Sequence, residues 1–150
     1  MRDKNCAGIR IVDAAEFMPV ALKLIADGAA VPLVVSGNSM EPFLRDGRDS
    51  VILSACRASA PRRGDIFLFE RNDGAYVVHR VHSTDGENVW FVGDAQSFIE
   101  GPIPRARLLA EVRTVTRRGA VVKRSSPTWA YFAWRRAVKS AVRPMSRIPG

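Results

Sequence analysis

The chain has 150 residues, 47% of them apolar and 25% charged. This length predicts one domain with a hydrophobic core, and the composition excludes a disordered chain, a coiled coil and a collagen-like repeat. The charge is uneven: residues 1–111 carry 13 basic groups against all 15 acids, whereas residues 112–150 carry 10 basic groups and no acid. A nearly neutral body therefore bears a cationic C-terminal region, which favours an anionic partner such as lipid head groups or nucleic acid.

Neither a disulfide scaffold nor a membrane span is predicted. Cys6 and Cys56 are too few for a stapled secreted domain and lack the spacing of metal ligands, so we expect no metal and no cofactor. The longest stretch without polar side chains, Ala29–Val35, is far shorter than the about 20 residues of a transmembrane helix. We expect a soluble, cytoplasmic protein that reaches a membrane only peripherally, at its inner face.

The N-terminal region predicts one short helix, at about residues 13–28. Asp13 with Glu16 three residues later resembles a capping box, and apolar residues follow at helical spacing. Pro19 interrupts this pattern, so the helix is expected to begin only near Met18, with the proline in its first turn. The glycine at the end of the range is a stop signal.

A run of short segments rich in Val, Ile, Phe and Thr predicts β-structure. The predicted strands are Val31–Ser36, Asp49–Leu53, Asp65–Phe69, Ala75–Ser83, Asn88–Val92, Leu108–Thr116 and Ala120–Lys123. Turn formers separate them, and the segments 72–74 and 85–86 predict tight hairpins. The spacing predicts a mainly β, antiparallel and partly barrel-like fold within residues 1–124.

Residues 125–150 predict a basic amphipathic helix and tail, with the helix running from Trp129 to about Arg143. Its apolar residues recur at three- and four-residue steps and form one stripe: Tyr131, Trp134, Val138, Ala141, Val142 and Met145. Arg135, Lys139 and Arg143 form a second, cationic stripe. Two interpretations remain open: the apolar stripe packs on the body, or residues 129–147 bind an anionic membrane surface.

A serine on a turn is a candidate nucleophile. Ser39 lies in the glycine-containing segment 35–42 that follows a predicted strand, and such a turn keeps a hydroxyl accessible. His79 and His82 fall on opposite faces of one strand, so only one of them can serve the same site. Asp94 comes directly after the next strand. In this order Ser, His and Asp can supply a nucleophile, a general base and an orienting carboxylate.

Five short blocks, taken in order, carry a family resemblance. They are Gly-x-Ser-Met-x-Pro (37–42), Asp-Gly-x-Asp (46–49), Arg-Gly-Asp-Ile-x-x-Phe (63–69), Val-x-His-Arg-Val (77–81) and Gly-Asp (93–94). This order resembles the serine peptidase superfamily that joins type I signal peptidases to the self-cleaving SOS repressors. The resemblance implies a signal peptidase/LexA-like fold and a serine endopeptidase.

The resemblance also implies roles for individual residues. Ser39 corresponds to the nucleophile, and Met40 to its usual neighbour beside the substrate groove. His79 stands where bacterial signal peptidases and SOS repressors have a lysine; it is similar to the histidine of archaeal, endoplasmic-reticulum and spore-former signal peptidases. Asp94 matches the acid that those enzymes use.

Several positions depart from the pattern or have no assigned role. Gly37 replaces a serine that donates to the oxyanion in many signal peptidases, so the oxyanion hole is expected to rely on the backbone N–H of Ser39. The side chain of Asn38 is a second candidate donor, and a slow enzyme is expected because one lost donor costs about 10²–10³ in rate. Asp49 and Asp65 match family aspartates of uncertain role.

Three functions are therefore compared. The first is a processing peptidase that cuts a peptide or protein precursor and lacks the N-terminal membrane anchor of most signal peptidases. The second is a self-cleaving regulatory module of the SOS-repressor type, for which Cys6-Ala7-Gly8 is the candidate site. The third is a non-catalytic domain that binds a membrane surface. Nucleic-acid binding is disfavoured because no recognised motif accompanies the basic residues.

Overall fold

The computed structural model describes residues 14–142, with side chains over 16–139. Its helices are α1 (Ala14–Ala26) and α2 (Pro127–Val142). Its strands are β1 (Val31–Val34), β2 (Ser50–Ser54), β3 (Ile66–Glu70), β4 (Tyr76–Thr84), β5 (Asn88–Val92), β6 (Glu100–Pro104), β7 (Leu108–Arg117) and β8 (Ala120–Lys123). The mainly β fold with a helix before and after the strands is confirmed.

All eight strands belong to one antiparallel sheet. Its order is β1-β2-β7-β3-β4-β5-β6, and β8 pairs with β7 beside this path. Within the described residues β1 and β6 are the two edges and do not pair with each other, so the sheet is not closed. The predicted hairpins are present, since β3–β4 and β4–β5 are antiparallel neighbours.

Two apolar clusters lie on opposite faces of the central strands. On β3, Ile66 and Leu68 belong to the larger cluster, which also takes in residues of both helices. Phe67 and Phe69 alternate with them and belong to the smaller cluster. Because successive side chains of a strand point to opposite faces, β3 is buried on both sides and anchors the sheet.

Strand β6 was not predicted. Its sequence contains Gly101, Pro102 and Pro104, three residues that are depleted in strands because they lack a side chain or a backbone N–H. The strand lies at an edge of the sheet, where a missing donor is tolerated.

Helix α1 differs from the prediction at its start and agrees with it at its end. Pro19 lies inside the helix rather than in its first turn. Met18, Ala21 and Ile25 are buried in the larger cluster, and this packing offsets the hydrogen bond that proline cannot make. Gly28 follows the helix with φ of 99° and donates its N–H to the last turn, as expected of a glycine stop.

Helix α2 packs on the sheet through the side opposite to the predicted apolar stripe. Trp129 is fully buried, whereas Tyr131, Trp134 and Val138 are 52%, 61% and 40% exposed. The interpretation in which that stripe faces the body is therefore wrong for these three residues. The remaining members, Ala141, Val142 and Met145, and the basic Arg143, lie outside the described side chains.

The two helices have 13 and 16 residues. In the part of the chain from 14 to 142, neither helix is long and apolar enough to cross a membrane. The division into a β domain over residues 1–124 and a C-terminal region over 125–150 stays a prediction.

Candidate active site

Ser39 lies on the turn between β1 and β2. Met40 and Leu44, which follow Ser39 in this turn, are buried in the larger cluster and fix it to the body. Gly37 has φ of 84° and donates its N–H to Asp46 Oδ1 at 2.7 Å. A side chain at Gly37 would be strained there, so the glycine allows the bend that leaves Ser39 half-buried at the surface.

A second turn, after β5, lies directly against Ser39. The N–H of Ala95 donates to the backbone oxygen of Ser39 at 2.9 Å. A Cβ on Gly93 would lie 2.6 Å from that same oxygen and 2.9 Å from Gln96 Oε1. Gly93 is therefore required for the close approach of these two turns.

Strand β4 brings His79 to Ser39. The Nε2 atom of His79 lies 3.1 Å from Ser39 Oγ, across 40 positions of sequence. His79 pairs with Phe67 of β3, and its ring contacts the ring of Phe69 edge-on at 6.3 Å between centroids. The imidazole is thus held by the sheet and by the smaller apolar cluster, with only 3% of the residue exposed.

The surroundings of His79 keep it neutral. Burial lowers its pKa to about 4; the carboxylate of Glu100 opposes this effect and the guanidinium of Arg71 adds to it. At pH 7 the ring is uncharged, which is the form that can accept a proton. Among the described residues Nδ1 has no hydrogen-bond partner, so no hydrogen bond fixes the tautomer in which Nδ1 carries the proton.

Asp94 is not brought to His79. Its two carboxylate oxygens each accept a hydrogen bond of 2.8 Å from the guanidinium of Arg80, through Nε and Nη2. Arg80 follows His79 in β4 and therefore points to the other face of the sheet, where it lies over the ring of Phe43. The predicted orienting contact is replaced by a buried ion pair on the opposite side of the strand.

Two residues that the sequence did not single out lie in the site. Arg71 lines the same cleft as His79 and bonds both oxygens of Glu100, at 2.7 and 3.0 Å. Arg71 follows β3 two positions after Phe69, so alternation places it on the His79 face. Glu100 begins the unpredicted β6, and no sequence signal indicated it.

The hydroxyl and the imidazole open onto a cleft of about 350 Å³. Met40, which was predicted to lie beside the substrate groove, lines this cleft together with Gly37 and Asn38 of the predicted oxyanion segment. No described residue accepts a hydrogen bond from the backbone N–H of Ser39. Further apolar side chains in the cleft are Leu33, Val51 and Leu68.

The other two family aspartates hold turns together. Burial raises the pKa of Asp49, but hydrogen bonds from the Arg48 side chain and the backbone of Arg118 outweigh it and hold that pKa below its ordinary value. Asp65 accepts a hydrogen bond of 2.7 Å from Arg124. Neither aspartate lines the cleft.

Over residues 14–142 no group of three or more His, Cys, Asp or Glu could hold a metal ion.

The family described as Peptidase S24-like matches residues 3–112, which is most of the chain and includes both turns and β4. No curated protein matches the sequence.

Proposed function

Because the chain belongs to the Peptidase S24-like family, whose members are serine peptidases and self-cleaving LexA-like modules, we propose that it is a serine endopeptidase with Ser39 as nucleophile and His79 as general base. The observation that carries the proposal is the 3.1 Å separation of Ser39 Oγ and His79 Nε2 at the cleft. A nucleophile and a base within hydrogen-bonding distance are what acyl transfer to serine needs.

The proposed reaction uses the protein's own groups throughout. As Ser39 Oγ bonds to the substrate carbonyl carbon, its proton passes to His79 Nε2. The oxyanion that forms accepts a hydrogen bond from the N–H of Ser39. His79 then gives the proton to the leaving amine as the C–N bond breaks, and water hydrolyses the acyl-enzyme by the same steps.

The low pKa of His79 has two opposing effects on this reaction. It keeps the base unprotonated over the whole neutral range, but it makes the imidazolium intermediate costly. Glu100 is the carboxylate whose charge favours that imidazolium, so it takes the electrostatic part of the role that the sequence assigned to Asp94. Asp94, paired with Arg80, is proposed to act only on the stability of the fold.

The proposed substrate is an extended segment of another peptide or protein, cut as a precursor. β1 is an edge strand whose last residues line the cleft, and an extended peptide can pair with such an edge. The family resemblance favours small residues just before the cut.

Self-cleavage is the second candidate, because the family contains both activities. Its candidate site, Cys6-Ala7-Gly8, lies outside the described residues. A third candidate is a non-catalytic domain that binds a membrane surface. Such a function does not explain why the Ser39 hydroxyl lies within hydrogen-bonding distance of His79. Membrane binding is therefore proposed as an addition to the peptidase and not as a substitute for it.

A peptide library with small residues at the central positions tests the proposal. Wild-type protein and Ser39→Ala are incubated with it from pH 5 to 9, and products are identified by mass spectrometry. Cleavage is expected for wild type and not for Ser39→Ala. Ser125→Ala and His82→Ala are matched controls, because these residues lie outside the cleft, and they should cleave normally.

The intact mass of the enzyme, measured in the same samples, separates the two activities. Loss of an N-terminal fragment from wild type alone, with no peptide cleaved, would favour self-cleavage. Equal cleavage by wild type and Ser39→Ala, or no cleavage of peptide or enzyme at any pH, would contradict the proposal.

A further inference from the structure

The outward side of α2 is an apolar surface without a partner in the described part of the protein. Tyr131, Trp134 and Val138, which we call the outer face, follow each other at helical spacing and are 40–61% exposed. Tyr131 contacts the ring of Trp134 at 6.1 Å between centroids, so their side chains form a continuous patch.

The contacts of α2 with the body prevent this patch from turning inward. Trp129 Nε1 donates to the backbone oxygen of Gly64 at 3.0 Å, and the Trp129 ring contacts that of Phe43. Phe132 lies 5.1 Å from Phe43 between ring centroids. Burying the outer face against the sheet would break these buried contacts, so the helix presents it to solvent as a fixed feature.

The charged residues of α2 are all basic. Arg135 and Lys139 lie on one flank of it in the helix, and residues 112–150 as a whole contain ten basic groups and no acid. An apolar patch with tyrosine and tryptophan, bordered by cations, matches the boundary between acyl chains and anionic head groups.

We propose that the outer face of α2 docks the protein on an anionic lipid bilayer. Tyr131, Trp134 and Val138 enter the head-group boundary, and Arg135 and Lys139 beside them contact the lipid phosphates. A second copy of the chain fits this face less well, because a symmetric contact would bring two cationic regions together. A nucleic acid fits less well because the centre of the face is apolar.

Docking rests on α2 alone and not on the proposed peptidase activity. The two are nevertheless close in the structure, because α2 touches both turns that frame Ser39. Phe132 packs on Phe43 of the first turn, and Arg136 donates to the backbone oxygen of Gln96 in the second, at 2.9 Å.

Co-sedimentation of the full chain with lipid vesicles tests the inference. Vesicles of phosphatidylcholine and phosphatidylglycerol (3:1) are compared with vesicles of phosphatidylcholine alone. Wild type is expected to bind the anionic vesicles at least tenfold more tightly, with binding weakened by salt. Tyr131→Ser/Trp134→Ser/Val138→Ser is expected to lose at least tenfold in affinity for the anionic vesicles.

A matched control replaces three equally exposed apolar residues elsewhere. Val20, Leu24 and Val121 are 57%, 46% and 63% exposed, and their triple serine variant should bind vesicles like wild type. Ser39→Ala should also bind like wild type, so a failed peptidase proposal leaves this test intact. Circular dichroism verifies that each variant is folded.

The fluorescence of Trp134 gives an independent readout. The contribution of Trp134, taken as the difference between wild type and Trp134→Phe, should shift to shorter wavelength on anionic vesicles. Equal binding by wild type and the outer-face variant, or no preference for anionic vesicles, would overturn the inference. A dimer that the variant dissociates, without vesicle binding by wild type, would assign the face to a second copy.

Discussion

His79 and Arg80 are neighbours in β4 and point to opposite faces of the sheet. Both side chains are buried, but they differ in how many hydrogen-bond partners they have. Arg80 is completely paired: it makes two bonds of 2.8 Å to Asp94, a third to Gly64, and lies over an aromatic ring. His79 is equally buried, yet within residues 14–142 only its Nε2 has a partner, the hydroxyl of Ser39.

The difference separates a structural pair from a reactive one. A buried charge is stable only when it is paired and hydrogen-bonded, as Arg80 is. A buried neutral imidazole with one unsatisfied nitrogen costs about 1–3 kcal/mol and is retained where its chemistry is needed. We therefore expect substitutions on the His79 face to affect activity and those on the Arg80 face to affect stability.

The largest effect is expected for His79→Ala. Loss of the general base should lower cleavage of a peptide substrate about 10²–10⁴-fold, measured as kcat/KM at pH 7. His82→Ala, in the same strand but at the register shift and outside the cleft, should stay within a factor of two or three of wild type. Wild-type cleavage by folded His79→Ala would remove His79 from the mechanism.

Arg80→Met should mainly reduce stability. It leaves Asp94 buried without its counter-ion, which typically costs about 3–5 kcal/mol, measured by urea unfolding. The double variant Arg80→Met/Asp94→Leu should recover most of this loss because no buried charge then remains. A double variant as unstable as the single one would argue that the pair itself, and not the orphaned charge, matters.

The pH dependence of stability should report the buried imidazole. The difference between a pKa of 6.5 in the unfolded chain and about 4 in the folded one corresponds to about 3 kcal/mol. The full contribution is present above pH 6.5, because His79 is then neutral in both the folded and the unfolded chain and unfolding takes up no proton. It falls as pH decreases from 6.5 to 4 and is lost below that.

Urea unfolding of wild type and His79→Ala between pH 7 and 4 measures this contribution. The difference in free energy of unfolding between them should shrink by about 1.4 kcal/mol per pH unit between pH 6.5 and 4. His82→Ala is the control for the second histidine, whose pKa burial also lowers. A difference independent of pH would mean that His79 is not buried as a neutral ring.

The smallest effect is expected for Glu100→Gln. Removing this negative charge should lower the pKa of His79 further and slow cleavage by less than tenfold. Arg71→Met should shift the same pKa upward. NMR titration of the imidazole C–H protons measures both, with the exposed Glu87→Gln as a control. Shifts in the same direction for Glu100→Gln and Arg71→Met would contradict the electrostatic role given to this pair.

The sequence indicated Ser39 and His79 but misassigned the partner of Asp94. Strand alternation, a local property, puts the two histidines on different faces, and the family resemblance carried by the five blocks selects the serine and His79. Alternation also places Arg80 opposite His79, but it cannot tell which of the two takes the carboxylate. That choice depends on which side of β4 the carboxylate of Asp94 reaches, and in the structure it lies against Arg80.

The C-terminal helix gives the same lesson for packing. Its amphipathic pattern was visible in the sequence, but the apolar stripe turned out to be the exposed side. Trp129 and Phe132, which are not members of that stripe, find aromatic partners in the body. Helical spacing defines faces, whereas the complementary surface that selects one of them comes from residues far away in the chain.

By itself, the amino-acid sequence determined the antiparallel β class, the hairpins, the cationic C-terminal region and the serine and histidine that meet. The first three follow from short-range periodicity, turn chemistry and charge, and the serine and histidine follow from the family resemblance of the five blocks. Only the tertiary structure decided that Asp94 pairs with Arg80, that Arg71 and Glu100 act on His79, and that Tyr131 and Trp134 face solvent. Those outcomes depend on which distant groups share a low-dielectric interior, and no local pattern encodes that.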